Sequence, residues 1–410
     1  MARFKIDVAL LATCQALFMT STSLLISISA IAGLMIAPRE GLATIPLGIQ
    51  FLSTMLFTFP ASLYMQRAGR RAGFIVGAIA ALAGGLLGTW SMFEQSFVGL
   101  CAATFFIGMF TACANYYRFA AADVADETYR SRAISLVMAG GIVAAFAGPN
   151  LAIHSKDALG AVFAGGYLTV AVLALLTILI LLFVHFPPPP AKAIGKENRP
   201  LAEIALQPRY MTAVLCAVIG YAVMNLLMTS TPLAMERLEY PFSNTAHVIQ
   251  WHVVGMFLPS FFTGHLIRRF GVLSIMLVGA VFQALCVVVN LNGESYLHFL
   301  AALVLLGVGW NFLFIGATTL LAENYRASEK AKAQGLNDLL VFSVVAMTAT
   351  SAGYLLIEYG WQSVNSGVLP FIALAAAVIV WTHRSTKNAP ASGPSKSEKE
   401  RSEKEASSSG

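Results

Sequence analysis

The chain of 410 residues is 57% hydrophobic and only 11% charged, with 26 Lys and Arg against 20 Asp and Glu. A soluble globular domain carries about 25% charged residues, so this composition excludes a water-soluble fold. The net charge of +6 does not point to nucleic acid, because the basic residues fall in short clusters between apolar runs, the pattern of loops that flank a bilayer.

A helix that crosses a bilayer needs about 20 apolar residues. Runs of that kind occur at about 6–36, 43–65, 74–93, 97–120, 132–153 and 160–186. A Pro-rich charged stretch, 187–208, interrupts them. They resume at about 209–232, 248–267, 272–291, 297–322, 335–357 and 365–383. The first run is too long for the apolar core of a signal peptide and reads as a spanning helix. The prediction is an all-α membrane protein of twelve transmembrane helices in two pseudo-symmetric six-helix bundles. These are an N-terminal bundle over 1–186, a cytoplasmic linker over 187–208 and a C-terminal bundle over 209–384. A tail over 385–410, rich in Ser, Lys and Glu, cannot bury a core and is expected to be disordered. The five cysteines lie inside apolar runs without metal-ligand spacing and read as small core residues.

The basic residues orient the spans. With both termini placed in the cytoplasm, 22 of the 26 Lys and Arg fall on that side. Arg39, Lys156 and Arg237 fall on the other, and Arg118 lies within the fourth span. This asymmetry supports a multi-pass protein of the cell (inner) membrane with cytoplasmic termini. The two halves also repeat. Arg67, Gly69, Arg70 and Arg71 follow the second span, and Arg268, Arg269 and Gly271 follow the eighth. Glu127, Tyr129 and Arg130 follow the fourth span as Glu323, Tyr325 and Arg326 follow the tenth. Paired six-helix repeats suit a protein that rocks its halves around a site near the membrane midplane.

The basic, Gly-containing loop, its second copy and the six-plus-six layout resemble the major facilitator superfamily over roughly residues 1–385. The family's loop pattern is Gly-x-x-x-Asp-Arg-x-Gly-Arg-Arg. Arg67, Gly69, Arg70 and Arg71 match it, while Ser62 and Gln66 replace its Gly and Asp, and Arg268 replaces the Asp in the second copy. The resemblance implies that this loop latches the halves together on the cytoplasmic side through charge pairs. Ala144 to Pro149 resembles the family's antiporter motif, with Ala144 in place of its first Gly.

Candidate pathway residues follow from the cost of placing polar groups in lipid. A charge at the bilayer centre costs about 2.5–3.5 kcal/mol even on lenient scales, so Arg118 should face a cavity or a partner. Asn115 shares its helical face. Tyr221 and Asn225 make a polar stripe in the seventh span, Trp310 and Asn311 sit in an aromatic cluster in the tenth, and Trp251 and Gln15 add to it from the eighth and first. These eight residues are the expected substrate-binding set. Asp338 in the eleventh span and His252 in the eighth are the proton-coupling candidates. No nucleotide-binding loop or catalytic constellation is visible, so neither an enzyme nor a cofactor is expected.

The expectation is secondary active transport of a small organic solute by alternating access, coupled to protons, by a monomer in a lipid bilayer with no nucleic-acid partner. The alternatives are proton-driven efflux of drug-like or amphipathic compounds, and a non-transporting sensor on the same fold.

Overall fold

The computed structural model describes residues 3–127, 129–187, 199–326 and 329–388. The described residues fold into helices joined by short connections. The first half comprises α1 (Arg3–Ile36), α2 (Ile45–Ala68), α3 (Arg70–Phe93), α4 (Phe97–Ala114), α5 (Tyr117–Val124), α6 (Arg130–Ser155) and α7 (Ala164–Leu181). A short helix, α8 (Leu201–Ala205), ends the linker. The second half comprises α9 (Pro208–Arg237), α10 (Phe242–Phe257), α11 (Ser260–Phe270), α12 (Val272–Asn292), α13 (Tyr296–Ala322) and α14 (Lys330–Asn388).

Among the described residues, ten helices are long and apolar enough to cross a membrane. That number agrees with twelve spans once two local events are seen. The eighth span, expected to be continuous over 248–267, starts earlier, at Phe242, and divides into α10 and α11 at Leu258–Pro259. The eleventh and twelfth spans merge into α14 across a kink at Gly360, whose φ of 81° only glycine adopts without strain. The fourth span also divides, with α4 ending at Ala114 and α5 beginning at Tyr117.

The break in the eighth span has a visible cause. Pro259 has no N–H to donate to the preceding turn, and a carbonyl freed in lipid must find another donor. Asn311 of α13 answers this locally. Its Nδ2 lies 2.6 Å from both the Met256 carbonyl and the Ser260 hydroxyl, and its Oδ1 accepts from the Thr263 hydroxyl at 2.7 Å. The two loop-motif glycines also share a backbone role. Gly69 has φ 89° and Gly271 has φ 86°, and a Cβ on either would meet nothing within 4 Å. The loop therefore needs their conformation, not their small size.

Within the first half α1 packs on α6, and α3 on α4 and α7; within the second α9 packs on α14, and α12 and α10 on α13. The halves meet along two pseudo-equivalent seams, α2 against α14 and α6 against α10. Of the expected linker, residue 187 and residues 199–208 are described, and of the expected tail only residues 385–388, where α14 ends. The rest of both lies outside the described residues.

Candidate functional site

The two seams close at one face of the bundle only. At the face opposite the linker, the Thr44 hydroxyl donates to the Thr350 carbonyl at 3.1 Å and accepts from the Gly353 N–H at 3.0 Å. A Cβ on Gly48 would collide with Thr350, so the absence of a side chain lets α2 and α14 touch there. On the second seam Asn150 donates to Gln250 at 3.3 Å, and Arg237 reaches Glu40 at 3.2 Å on the surface. Towards the linker the contact thins. The innermost of these cross-half bonds joins Ser343 to the Met55 sulfur at 3.0 Å. Beyond it the ion pairs among the described residues stay within one half. Arg70 pairs with Asp123 at 2.9 Å, Arg199 with Glu329 at 2.7 Å and Arg209 with Glu323 at 2.7 Å. Among the described residues, the cross-half hydrogen bonds and ion pairs thus gather at the far face and thin out at mid-depth, and none joins the halves at the linker face; in that sense the linker face is parted.

Within the second half lies a cluster of rings from three of its spans, packed on that half's core. Tyr221 meets Trp310 and Phe314 edge to face, each at 5.4 Å, and Phe342 at 6.2 Å. Trp310 stacks on Phe314 at 5.0 Å with planes 10° apart. One helical turn from Tyr221, buried Asn225 accepts from the Thr348 hydroxyl at 3.2 Å. The Asn225 Nδ2, the Thr229 hydroxyl and the Trp310 Nε1 are buried with no hydrogen-bond partner. Unsatisfied donors of this kind beside an aromatic wall are what a polar-edged flat molecule could satisfy.

The first half contributes the charge. Arg118 on α5 is exposed, with its guanidinium 4.8 Å above the Phe119 ring. Asn115 is half-buried at the break between α4 and α5, and Gln15 is buried in α1. The adjacent Tyr116 hydroxyl donates to the Thr58 carbonyl at 3.1 Å, which ties the start of α5 to α2.

The structure separates several residues that sequence grouped. Gln250, Trp251 and His252 are consecutive, and side chains about 100° apart on a helix cannot share one face. Gln250 meets Asn150 across the seam, and exposed Trp251 meets Phe146 of the other half at 6.5 Å. His252 is fully buried against α13, its Nδ1 2.8 Å from the Leu303 carbonyl. Asn311 is likewise buried, its side chain committed to the break in the eighth span. Asp338 is half-buried, accepts from Asn337 at 3.1 Å, and feels the charge of Arg118 from the opposite half. Sequence reading missed Phe342 and Thr348. Phe342 lies one turn from Asp338 on α14, and an i, i+4 search outward from that acid would have found it.

In the loop motif, Arg71 donates to the Val184 carbonyl and Arg70 pairs with Asp123, both within the first half. Arg67, Arg268 and Arg269 are exposed.

The family model of the Major Facilitator Superfamily matches residues 8–289 and 244–408. The chain belongs to the major facilitator superfamily. It is 38% identical over 377 residues to the riboflavin transporter RfnT of Brucella anthropi, covering 91% of this chain and 95% of that one. It is 28% identical over 364 residues to the uncharacterized transporter YddS of Bacillus subtilis, covering 81% and 82%. Among solved structures, the POT family transporter PepTSo superposes with a TM-score of 0.74 at 12% identity, covering 93% of this chain and 98% of that one. A D-xylose–proton symporter does so with a TM-score of 0.71 at 13% identity, covering 92% and 97%. At such identities these structures speak for the fold alone. The chain is a multi-pass membrane transporter of this superfamily and not an enzyme.

Proposed function

We propose that this chain carries riboflavin, or a flavin of similar size and polarity, across the inner membrane by alternating access, as a monomer with both termini in the cytoplasm. The observation that carries the reading is the match to a riboflavin transporter along nearly the whole of both chains. The site supports it. The isoalloxazine ring is flat and apolar on its faces, with carbonyl and imide groups along one edge. Tyr221, Trp310, Phe314 and Phe342 offer faces and edges for such a ring. Asn225, Thr229 and Trp310 hold buried polar atoms without partners. Arg118 supplies positive charge to the parted side of the cavity.

In this reading the bundles 1–186 and 209–384 rock about the seams α2–α14 and α6–α10. A proton gradient drives accumulation, with Asp338 as the coupling group. Asp338 lies towards the parted face, whereas His252 sits inside its own half.

The test uses the ligand's own emission. Riboflavin titrated into the purified protein should lose fluorescence as it stacks on Trp310 and Tyr221, and Tyr221→Ala or Trp310→Ala should raise Kd about tenfold. Proteoliposomes under an imposed pH gradient should concentrate riboflavin, and Asp338→Asn should retain exchange but lose accumulation. Absence of both quenching and uptake would sink the substrate assignment. Uptake indifferent to the gradient would sink the coupling.

A further inference from the structure

The charges at the linker face are unevenly committed. Of the carboxylates at that end of the second half, Glu323 is held by Arg209, Glu329 is held by Arg199, and Glu203 acts on the same Arg199. Asp338 is the carboxylate left over among the described residues, and the cation acting on it is Arg118, from the opposite half. In the first half Arg70 and Arg71 are turned to partners in their own half. Arg118 has no carboxylate in ion-pair contact among the described residues.

The helix register places these two charges at similar depth. The Ser343–Met55 contact aligns α14 with α2. Asp338 lies five residues, about 7.5 Å, towards the linker from Ser343. Thr58 lies three residues, about 4.5 Å, in the same direction from Met55, and it holds Tyr116, two residues before Arg118. Arg118 and Asp338 therefore stand on opposite walls of the parted mouth. The loop that the family motif would use for a latch has Gln66 and Arg268 where an acid is needed.

We propose that Arg118 and Asp338 form the cross-half ion pair that holds the linker face shut, a task moved from the 66–71 loop to the ends of the fourth and eleventh spans. The pair is open in this structure and forms when the seams hinge the other way. Two opposite charges brought together as water leaves the mouth favour the closed state, and separation as the mouth rehydrates weakens them.

Spin labels at Gln66→Cys and Gly335→Cys, introduced in a background without the native cysteines, report the width of the mouth. Both positions are exposed, and a Cβ on Gly335 meets nothing within 4 Å. The parent protein should show a long and a short distance. Asp338→Asn and Arg118→Gln should each reduce the short population about fivefold, the upper end for an exposed pair. The reversed pair, Arg118→Asp with Asp338→Arg, should restore it. Single variants that keep the short population, or a reversed pair that closes no better than either single, would overturn the proposal. Riboflavin titration of Asp338→Asn separates gate from pocket. Unchanged affinity alongside lost closure supports a gate, and lost affinity with normal closure refutes it. Failure of riboflavin to bind the parent protein would count against the substrate reading while leaving the distance measurement decisive.

Discussion

The two faces of the bundle keep the same pair of halves together by different means. The far face is held by close backbone approach. Thr44 bridges to Thr350 and Gly353, Gly48 leaves room for the Thr350 side chain, and Asn150 reaches Gln250. The linker face is dominated by charge, and its ion pairs bind each half to itself. Packing contacts of the first kind are short-ranged and nearly all-or-none, so that seam is either shut or open. Charges act over longer distances and respond to water, so a parted mouth lined with them can remain hydrated without losing all attraction. A transporter that opens to one side at a time needs both kinds of closure.

The largest effect is expected at Gly48. Gly48→Val places a branched side chain where even a Cβ collides with Thr350. Overpacking of this sort costs about 1–3 kcal/mol, a shift of about five- to 150-fold in a balanced equilibrium. Transport should fall to background, and the distance between spin labels at Arg39→Cys and Glu358→Cys should lengthen at the far face. A valine variant that transports normally would show that the far face does not rely on backbone approach. Arg118→Ala is the next largest. Removing a charged hydrogen-bond donor costs about 1.5–3 kcal/mol, so riboflavin affinity should drop at least about tenfold while thermal unfolding stays close to the parent. Unchanged affinity would confine Arg118 to the gate.

The spans were legible in sequence because hydropathy and the distribution of Lys and Arg act over many residues at once. Where spans break was less so. Pro60, Pro149, Pro232 and Pro370 lie inside helices that continue through them, whereas Pro259 ends one. The difference lies with Asn311, in a helix about 50 residues away, which donates to the Met256 carbonyl and the Ser260 hydroxyl and accepts from the Thr263 hydroxyl on the two sides of the break. Asn115 and Asn311 make the same point from the repeat. They hold equivalent positions in sequence, yet Asn311 is sealed among partners and Asn115 lies half-buried at a helix break. Repeat symmetry therefore marked position without marking role. The aromatic wall was only partly visible, because Phe342 reaches Tyr221 from the eleventh span through tertiary packing that no local pattern records.

The smallest effect is expected at Glu329, on the linker face. Glu329 is buried, with Arg199 donating to both its oxygens, at 2.8 and 2.7 Å, and the Arg326 N–H adding a third bond at 2.9 Å. The Arg199 guanidinium beside it and the backbone donor hold the carboxyl at about 2, below its ordinary 4.5. A carboxyl held low in the folded state binds its proton more readily once unfolded. Its stabilisation is therefore complete above pH 4.5 and disappears as pH falls towards 2. This clamp joins the end of the linker to the loop before α14, both in or beside the second half, so it should stabilise that half without moving the mouth. Glu329→Gln should lower Tm by about 2–4 °C at pH 7. That deficit should shrink as pH falls from 4.5 towards 2, because the unfolded parent takes up the proton first and the folded carboxylate loses its charge only near 2. The distance between the Gln66 and Gly335 positions should not change. A pH-independent deficit would mean that Glu329 acts through packing, and a widened mouth would mean that the clamp belongs to the gate and that the Arg118–Asp338 pair does not hold the linker face alone.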